Sequence, residues 1–142
     1  MVVALFFWRQ AIPAFKQGFK PNVISTDLHS DSMNGGMKDM ANVMSKFLNI
    51  GLSLEEVIER STLAPANVIK RPDLGNLSVG SDADVAVFSL KKGDFGFTDV
   101  RRNVLKGTQK LDAELTIRAG KIVWDLNGIS GQAWDSAEAM GK

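Results

Sequence analysis

Asp27, His29 and Asp31 alternate within NVISTDLHSDSMNGG, residues 22–36. They follow Val23-Ile24, a β-branched pair of strand type, and the stretch closes on Gly35-Gly36. A carboxylate where a short apolar strand ends has two readings. In α/β barrels the carboxyl ends of strands carry the active site, and a carboxylate there can bind a divalent cation and accept a proton from water. Equally, Ser-Thr-Asp is ordinary turn chemistry, and Asp27 can cap a turn. His29 is the only histidine of the chain. A zinc site takes about four N, S or O donors, so one His between Asp27 and Asp31 is a thin set. Neither H-x-H nor H-E-x-x-H occurs. His29 therefore reads as a loop or substrate contact before it reads as a ligand. Gly35-Gly36 permits tight backbone geometry and could cradle an anion at the next helix. Ser25, Ser30 and Ser32 lack the G-x-S-x-G setting of a serine nucleophile. With no cysteine in the chain, thiolate metal sites, cysteine nucleophiles and disulfides are excluded together.

These residues must be positioned by the elements around them. Apolar residues at 8, 11, 12, 15 and 19 predict a helix over 8–19, with Pro13 better suited to a first turn than to an interior. Pro21 then blocks helix, and Val23–Thr26 reads as a short strand. Met37, Met40, Ala41, Met44, Phe47 and Leu48 follow helical spacing over 35–51, with Gly51 placed as the C-cap. The Met stripe reads as core packing rather than a cofactor box. Ser53 and Glu56 form an S-x-x-E capping box for a second helix, and Ala64-Pro65 opens a third, to about Lys70. After Pro72 the pattern turns all-β. Glycines separate strand-like runs at Asp84–Leu90, Val104–Gly107, Glu114–Ile117 and Lys121–Trp124. RAGKIVW predicts a hairpin with Gly120 at positive φ. From Gly128 the chain is polar, small and unpatterned.

The 142 residues are enough for one domain, or one domain and an appendage. A formal charge of +1 gives no reason to expect nucleic acid or an anionic membrane as partner. MVVALFFW is apolar but far short of the about 20 residues a membrane span needs, and it lacks the basic n-region of a secretion signal. The expectation is a soluble, cytoplasmic protein acting on a small molecule. One lone strand among helices cannot build a parallel sheet, so the chain reads as a piece of something larger.

Several stretches together resemble the amidohydrolase superfamily of metal-dependent hydrolases, which includes dihydroorotases and deacetylase-like enzymes. VISTDLHSDSMN is similar to the eighth barrel strand and its loop. STLAPANVI resembles a helical T-x-x-P-A segment. GNLSVGSDADVAVF is similar to a G-x-L-x-x-G-x-x-A-D motif, and ELTIRAGKIVWD to the return strand of a small β-sandwich. The resemblance covers roughly residues 6–127. It implies an α/β fold: the C-terminal piece of a (β/α)8 barrel with the C-terminal strands of the small β-sandwich. Residues 1–72 would hold the last barrel strand with flanking helices, 73–127 the sandwich portion, and 128–142 an extended or disordered tail. The family's eighth-strand aspartate falls on Asp27, implying a metal ligand that also shuttles a proton. The loop residues His29, Ser32, Met33 and Asn34 would contact substrate. The intact parent would hydrolyse amide or ester bonds, such as those of N- or O-acetylated small acids or cyclic amides, with a divalent metal, zinc, as cofactor. The family's H-x-H, bridging lysine and later histidines have no counterpart here, so the chain alone is expected to be inactive and need bind no metal. Exposed strand edges would favour self-association. The rival reading is a non-catalytic α/β module that binds or assembles.

Overall fold

The computed structural model describes residues 7–136, apart from the side chains of Asp31 and Asn34. Among the described residues five helices precede a three-stranded antiparallel sheet of order β1-β2-β3. The helices are α1 Trp8–Lys16, α2 Ser30–Asn34, α3 Met40–Ile50, α4 Leu54–Ser61 and α5 Leu63–Val68; the strands are β1 Val85–Thr98, β2 Val104–Arg118 and β3 Lys121–Asp125. No helix among the described residues is long and apolar enough to cross a membrane.

The helix predictions hold in type and shift at their ends for identifiable reasons. α3 starts later than its apolar stripe because Lys38 sits at φ +53° and extended Asp39 is the N-cap, its side chain accepting from the Asn42 N–H at 2.7 Å. Gly51 ends it at φ +117°, where a glycine is favoured. The Ser53–Glu56 capping box is present in both directions. α1 carries Pro13 in its interior, not its first turn, and stops at Lys16 ahead of Gly18.

The strands differ more. Val104–Gly107 and Glu114–Ile117 are one strand, β2, and β1 runs past Gly93 and Gly96 to Thr98. Glycines that read as breaks are instead carried within the ladder, which shifts register between Lys92 and Phe95. The β2–β3 hairpin turns through Ala119 (φ +48°) and Gly120 (φ +74°), as a two-residue turn of this hand requires. The expected strand Val23–Thr26 does not form. The run is extended but pairs with no strand among the described residues; Ile24 N–H donates instead to the Arg60 carbonyl at 2.7 Å. An extended segment without neighbours cannot be a strand, whatever its propensity. Residues 128–136 make turns, with Asp125 accepting from the Ile129 and Ser130 N–H groups; the rest of the tail lies outside the described residues.

One core joins helices and sheet. Trp8, Ile24, Met37, Val43, Met44, Phe47, Leu48, Leu52 and Val57 pack with Phe97 and Leu111. Met37 and Met44 of the Met stripe are thus buried packing, with Met40 partly buried against them, as the spacing implies. Among the described residues two charged side chains lie inside, Lys46 and Asp99. Asp99 accepts hydrogen bonds from the N–H groups of Trp8, Arg101 and Asn103 and from the Asn103 amide. Burial pushes its carboxyl up, yet these bonds together hold it below the ordinary carboxylate range. Lys46 donates to the carbonyls of Gly36 and Thr98 and lies 5.8 Å from the Trp8 ring centroid.

Candidate functional site

The extended run 22–26 delivers Asp27 to the surface, where the backbone reverses. Asp27 is exposed and sits at φ +47°. That left-handed conformation is unfavourable for most side chains, though Asp tolerates it better than most. Its N–H donates to Ser25 Oγ at 3.3 Å, and its carbonyl accepts from Ser32 Oγ at 2.8 Å.

The next residues form a reciprocal cap on the short helix α2. His29 occupies the N-cap position, and its Nδ1 accepts from the Ser32 N–H at 3.2 Å. Ser32 Oγ in turn accepts from the His29 N–H at 2.8 Å. This is the geometry of a capping box, with His and Ser in place of the usual Ser and Glu. Its sequence signal is the i, i+3 spacing of His29 and Ser32, which reads as nothing special until the helix is seen. The five-residue helix itself was legible only as a loop.

Of the expected site residues, Asp27 and His29 lie on the surface two positions apart, and Met33 is also exposed. Ser32 is buried, its hydroxyl engaged by the loop it supports. The side chain of Asn34 lies outside the described residues. Among the described residues no three His, Cys, Asp or Glu side chains converge to hold a metal ion. Asp27 brings one carboxylate, and His29 Nδ1 is already an acceptor for a backbone N–H. These residues by themselves do not fit a resident metal.

Two cavities among the described residues lie away from this loop. One of about 370 Å³ is lined by Met40, Met44, Ile58, Leu77, Val85 and Phe88, and another of about 540 Å³ opens beside Lys110, Asp112 and Trp124. Neither includes a residue of the Asp27 loop.

A family model described as "Amidohydrolase family" matches residues 8–123. The chain belongs to the amidohydrolase family. A protein named "Deacetylase" from Brucella anthropi is 43% identical over 140 residues, covering 89% of this chain and 35% of the relative. "Deacetylase Atu3266" from Agrobacterium fabrum is 41% identical over 101 residues, 71% of this chain and 25% of the relative. Among solved structures, an adenine deaminase superposes with a TM-score of 0.78 at 30% identity, over 85% of this chain and 33% of its own. A dihydroorotase does so with a TM-score of 0.76 at 33% identity, over 84% and 32%. The α/β arrangement of helices and antiparallel sheet is thus part of the amidohydrolase fold. The chain spans about a third or less of the length of the relatives it matches.

Proposed function

We propose that the full-length amidohydrolase hydrolyses amide or ester bonds of small molecules, N- or O-acetylated small acids or cyclic amides, and that Asp27 is its catalytic carboxylate. The carrying observation is the turn at Asp27: an exposed carboxylate held at positive φ, with its carbonyl tied to the buried Ser32 hydroxyl. Such a conformation costs on the order of 1–3 kcal/mol and concentrates at working sites. The names of two relatives as deacetylases, and of one structural neighbour as a dihydroorotase, support amide hydrolysis.

In this reading the chain up to residue 72 belongs to a barrel and 73–127 to a small β-sandwich. Asp27 accepts the proton of the attacking water and delivers it to the leaving nitrogen or oxygen. His29, Met33 and Asn34 border the substrate, with Ser32 beneath them. A divalent metal, zinc, is the cofactor of the whole protein and Asp27 one of its donors; the described residues do not supply the others. The protein works in the cytoplasm.

The test uses the full-length enzyme and acetylated amino acids. Asp27→Asn keeps the side chain's size but carries no charge and accepts no proton, so kcat is expected to fall on the order of 10²–10⁴-fold with the fold intact. His29→Asn is expected to act mainly on KM. The reading fails if Asp27→Asn leaves kcat within about tenfold of the parent, a loss below the general-base range. The 142-residue chain alone is expected to give no zinc-dependent turnover, and turnover lost on Asp27→Asn would contradict that.

A further inference from the structure

We propose that Arg9 and Arg101 bind a phosphate group, either free or carried by a small ester. Together with Phe7 and Asn103 they line a shallow cavity of about 390 Å³ between the start of α1 and the turn that joins β1 to β2. The two arginines are far apart in sequence, and one buried carboxylate brings them together. Asp99, 1% exposed, accepts from the N–H of Trp8, the neighbour of Arg9, at 3.2 Å and from the Arg101 N–H at 2.8 Å. It also accepts from the Asn103 N–H and side-chain amide. The backbone that carries both guanidiniums is thus fixed from inside.

The charge of Asp99 is answered within the core. Its oxygens are taken by these N–H groups, and the ammonium it acts on is that of buried Lys46, whose pKa it pulls up. Both arginines are exposed, and among the described residues neither lies within ion-pair distance of a carboxylate. Arg9 also stands against the helix dipole. It lies in the first turn of α1, where an acid is favoured, and that turn contains no acid. Two permanent cations therefore converge on one cavity without a counter-charge. A guanidinium pairs two N–H groups with two oxygens of an oxyanion, so two of them suit a group with at least three oxygens and more than one charge. Phosphate has that inventory and a carboxylate does not. The Phe7 ring on the cavity wall gives the organic part of an ester an apolar place to lie.

The experiment is isothermal titration calorimetry with inorganic phosphate, phenyl phosphate and acetate, at fixed ionic strength in chloride, on both the 142-residue chain and the full-length enzyme. Saturable binding of phosphate with a Kd of about 1 mM is expected in both, as suits one small anion at an open site. Arg9→Gln and Arg101→Gln are each expected to weaken it about tenfold or more, the scale of a charge-assisted hydrogen bond. Arg102→Gln, on the same turn but outside the cavity lining, is expected to leave it nearly unchanged. Acetate is expected to bind about tenfold more weakly than phosphate or worse, because it lacks the third oxygen and the second charge. Tighter binding of phenyl phosphate assigns the site to an ester, and equal or weaker binding assigns it to free phosphate. The comparison of phosphate with acetate needs no variant, so it decides even if a variant fails to fold. The proposal is overturned by no saturation up to about 30 mM phosphate, or by acetate that matches phosphate. An Arg102→Gln loss as large as that of Arg101→Gln overturns it too, since that is general charge attraction and not a site. So does binding by the 142-residue chain that the full-length enzyme lacks, since the cavity is then covered. None of these readouts depends on turnover, so failure here is distinct from failure of the hydrolase reading.

Discussion

Lys46 occupies the middle of α3 with its side chain fully buried, among the least expected places for an ammonium group. Burial lowers its pKa from 10.5 to about 8; the Asp99 carboxylate pulls it back up, Lys38 pushes it further down and Asp39 raises it. The unfolded chain keeps the ordinary value, so between about 8 and 10.5 it binds more protons than the folded chain. Stability contributed by this group therefore rises with pH across that window and is lowest below it, where the charge stays buried. The neutral amine still has two hydrogens for the Gly36 and Thr98 carbonyls, so those bonds survive deprotonation. Lys46→Met removes the titration and leaves both carbonyls without their donor. The stability of the native chain minus that of Lys46→Met is expected to increase between about pH 7 and pH 10, by at most about 3 kcal/mol. Urea unfolding of both proteins at the two pH values measures it. A difference that stays flat or falls would show that Lys46 is not held as described. The single-residue reading of Asp27 belongs to this scale too: its type and place at the end of an apolar run are visible in sequence, but its positive φ is not.

At the scale of elements, the contact that locks helices to sheet is polar. Ser45 and Asn49, one turn apart on α3, reach β2 along the edge opposite β1, before β3 begins to pair. Ser45 Oγ accepts from the Leu111 N–H at 2.9 Å. Asn49 Oδ1 accepts from the N–H groups of Thr108 and Gln109, and its amide donates to the Gln109 carbonyl at 2.7 Å. β3 pairs only with residues 115–118, so α3 supplies partners that a further strand would otherwise have to give. Gly107 makes this possible, since a Cβ there would lie 2.5 Å from Asn49 Cγ and 2.8 Å from Phe97. Asn49→Ala is expected to destabilise the chain by about 2–3 kcal/mol, because it leaves the half-buried N–H and carbonyl of Gln109 without this partner. Gly107→Ala is expected to destabilise as well, and by less in an Asn49→Ala background, where one of its two clashes is gone. Thermal unfolding of the two single variants and the double variant completes the cycle. Strict additivity would mean that Gly107 does not make room for Asn49.

For the molecule as a whole, the far edge of the sheet is the exposed feature. β3 has β2 on one side and no strand on the other among the described residues. Its centre is apolar on both faces: Ile122, Val123 and Trp124 are 51%, 60% and 51% exposed. An edge of this kind offers free N–H and C=O groups beside apolar side chains, which is a template for pairing with another strand. Self-association of the 142-residue chain is therefore expected, visible as a sedimentation coefficient that rises with concentration. Val123→Lys, which places a charge on the edge without touching the core, is expected to shift the chain toward monomer. A concentration-independent monomer of the unmodified chain would contradict the idea that this edge seeks a partner.

Local pattern carried much of this protein in the sequence itself. The Ser53–Glu56 box, the Gly51 cap, the buried Met stripe and the Gly120 turn all depend on neighbours within a few residues, and all are present. VISTDLHSDSMN and GNLSVGSDADVAVF, together with STLAPANVI and ELTIRAGKIVWD, point to the amidohydrolases. Features that depend on distant residues were not legible. Whether Val23–Thr26 becomes a strand depends on a neighbour that the run cannot supply, and its propensity is silent on that. Whether a glycine breaks or joins a strand depends on what approaches it: at Gly107 the answer is Asn49, 58 positions away in sequence and in contact only after folding. The Asp27 loop shows both limits. Asp27 and His29 are readable as types, because chemistry is a property of the side chain. Ser32 underneath them becomes their support only once the chain has turned back at positive φ, and that geometry exists only in three dimensions.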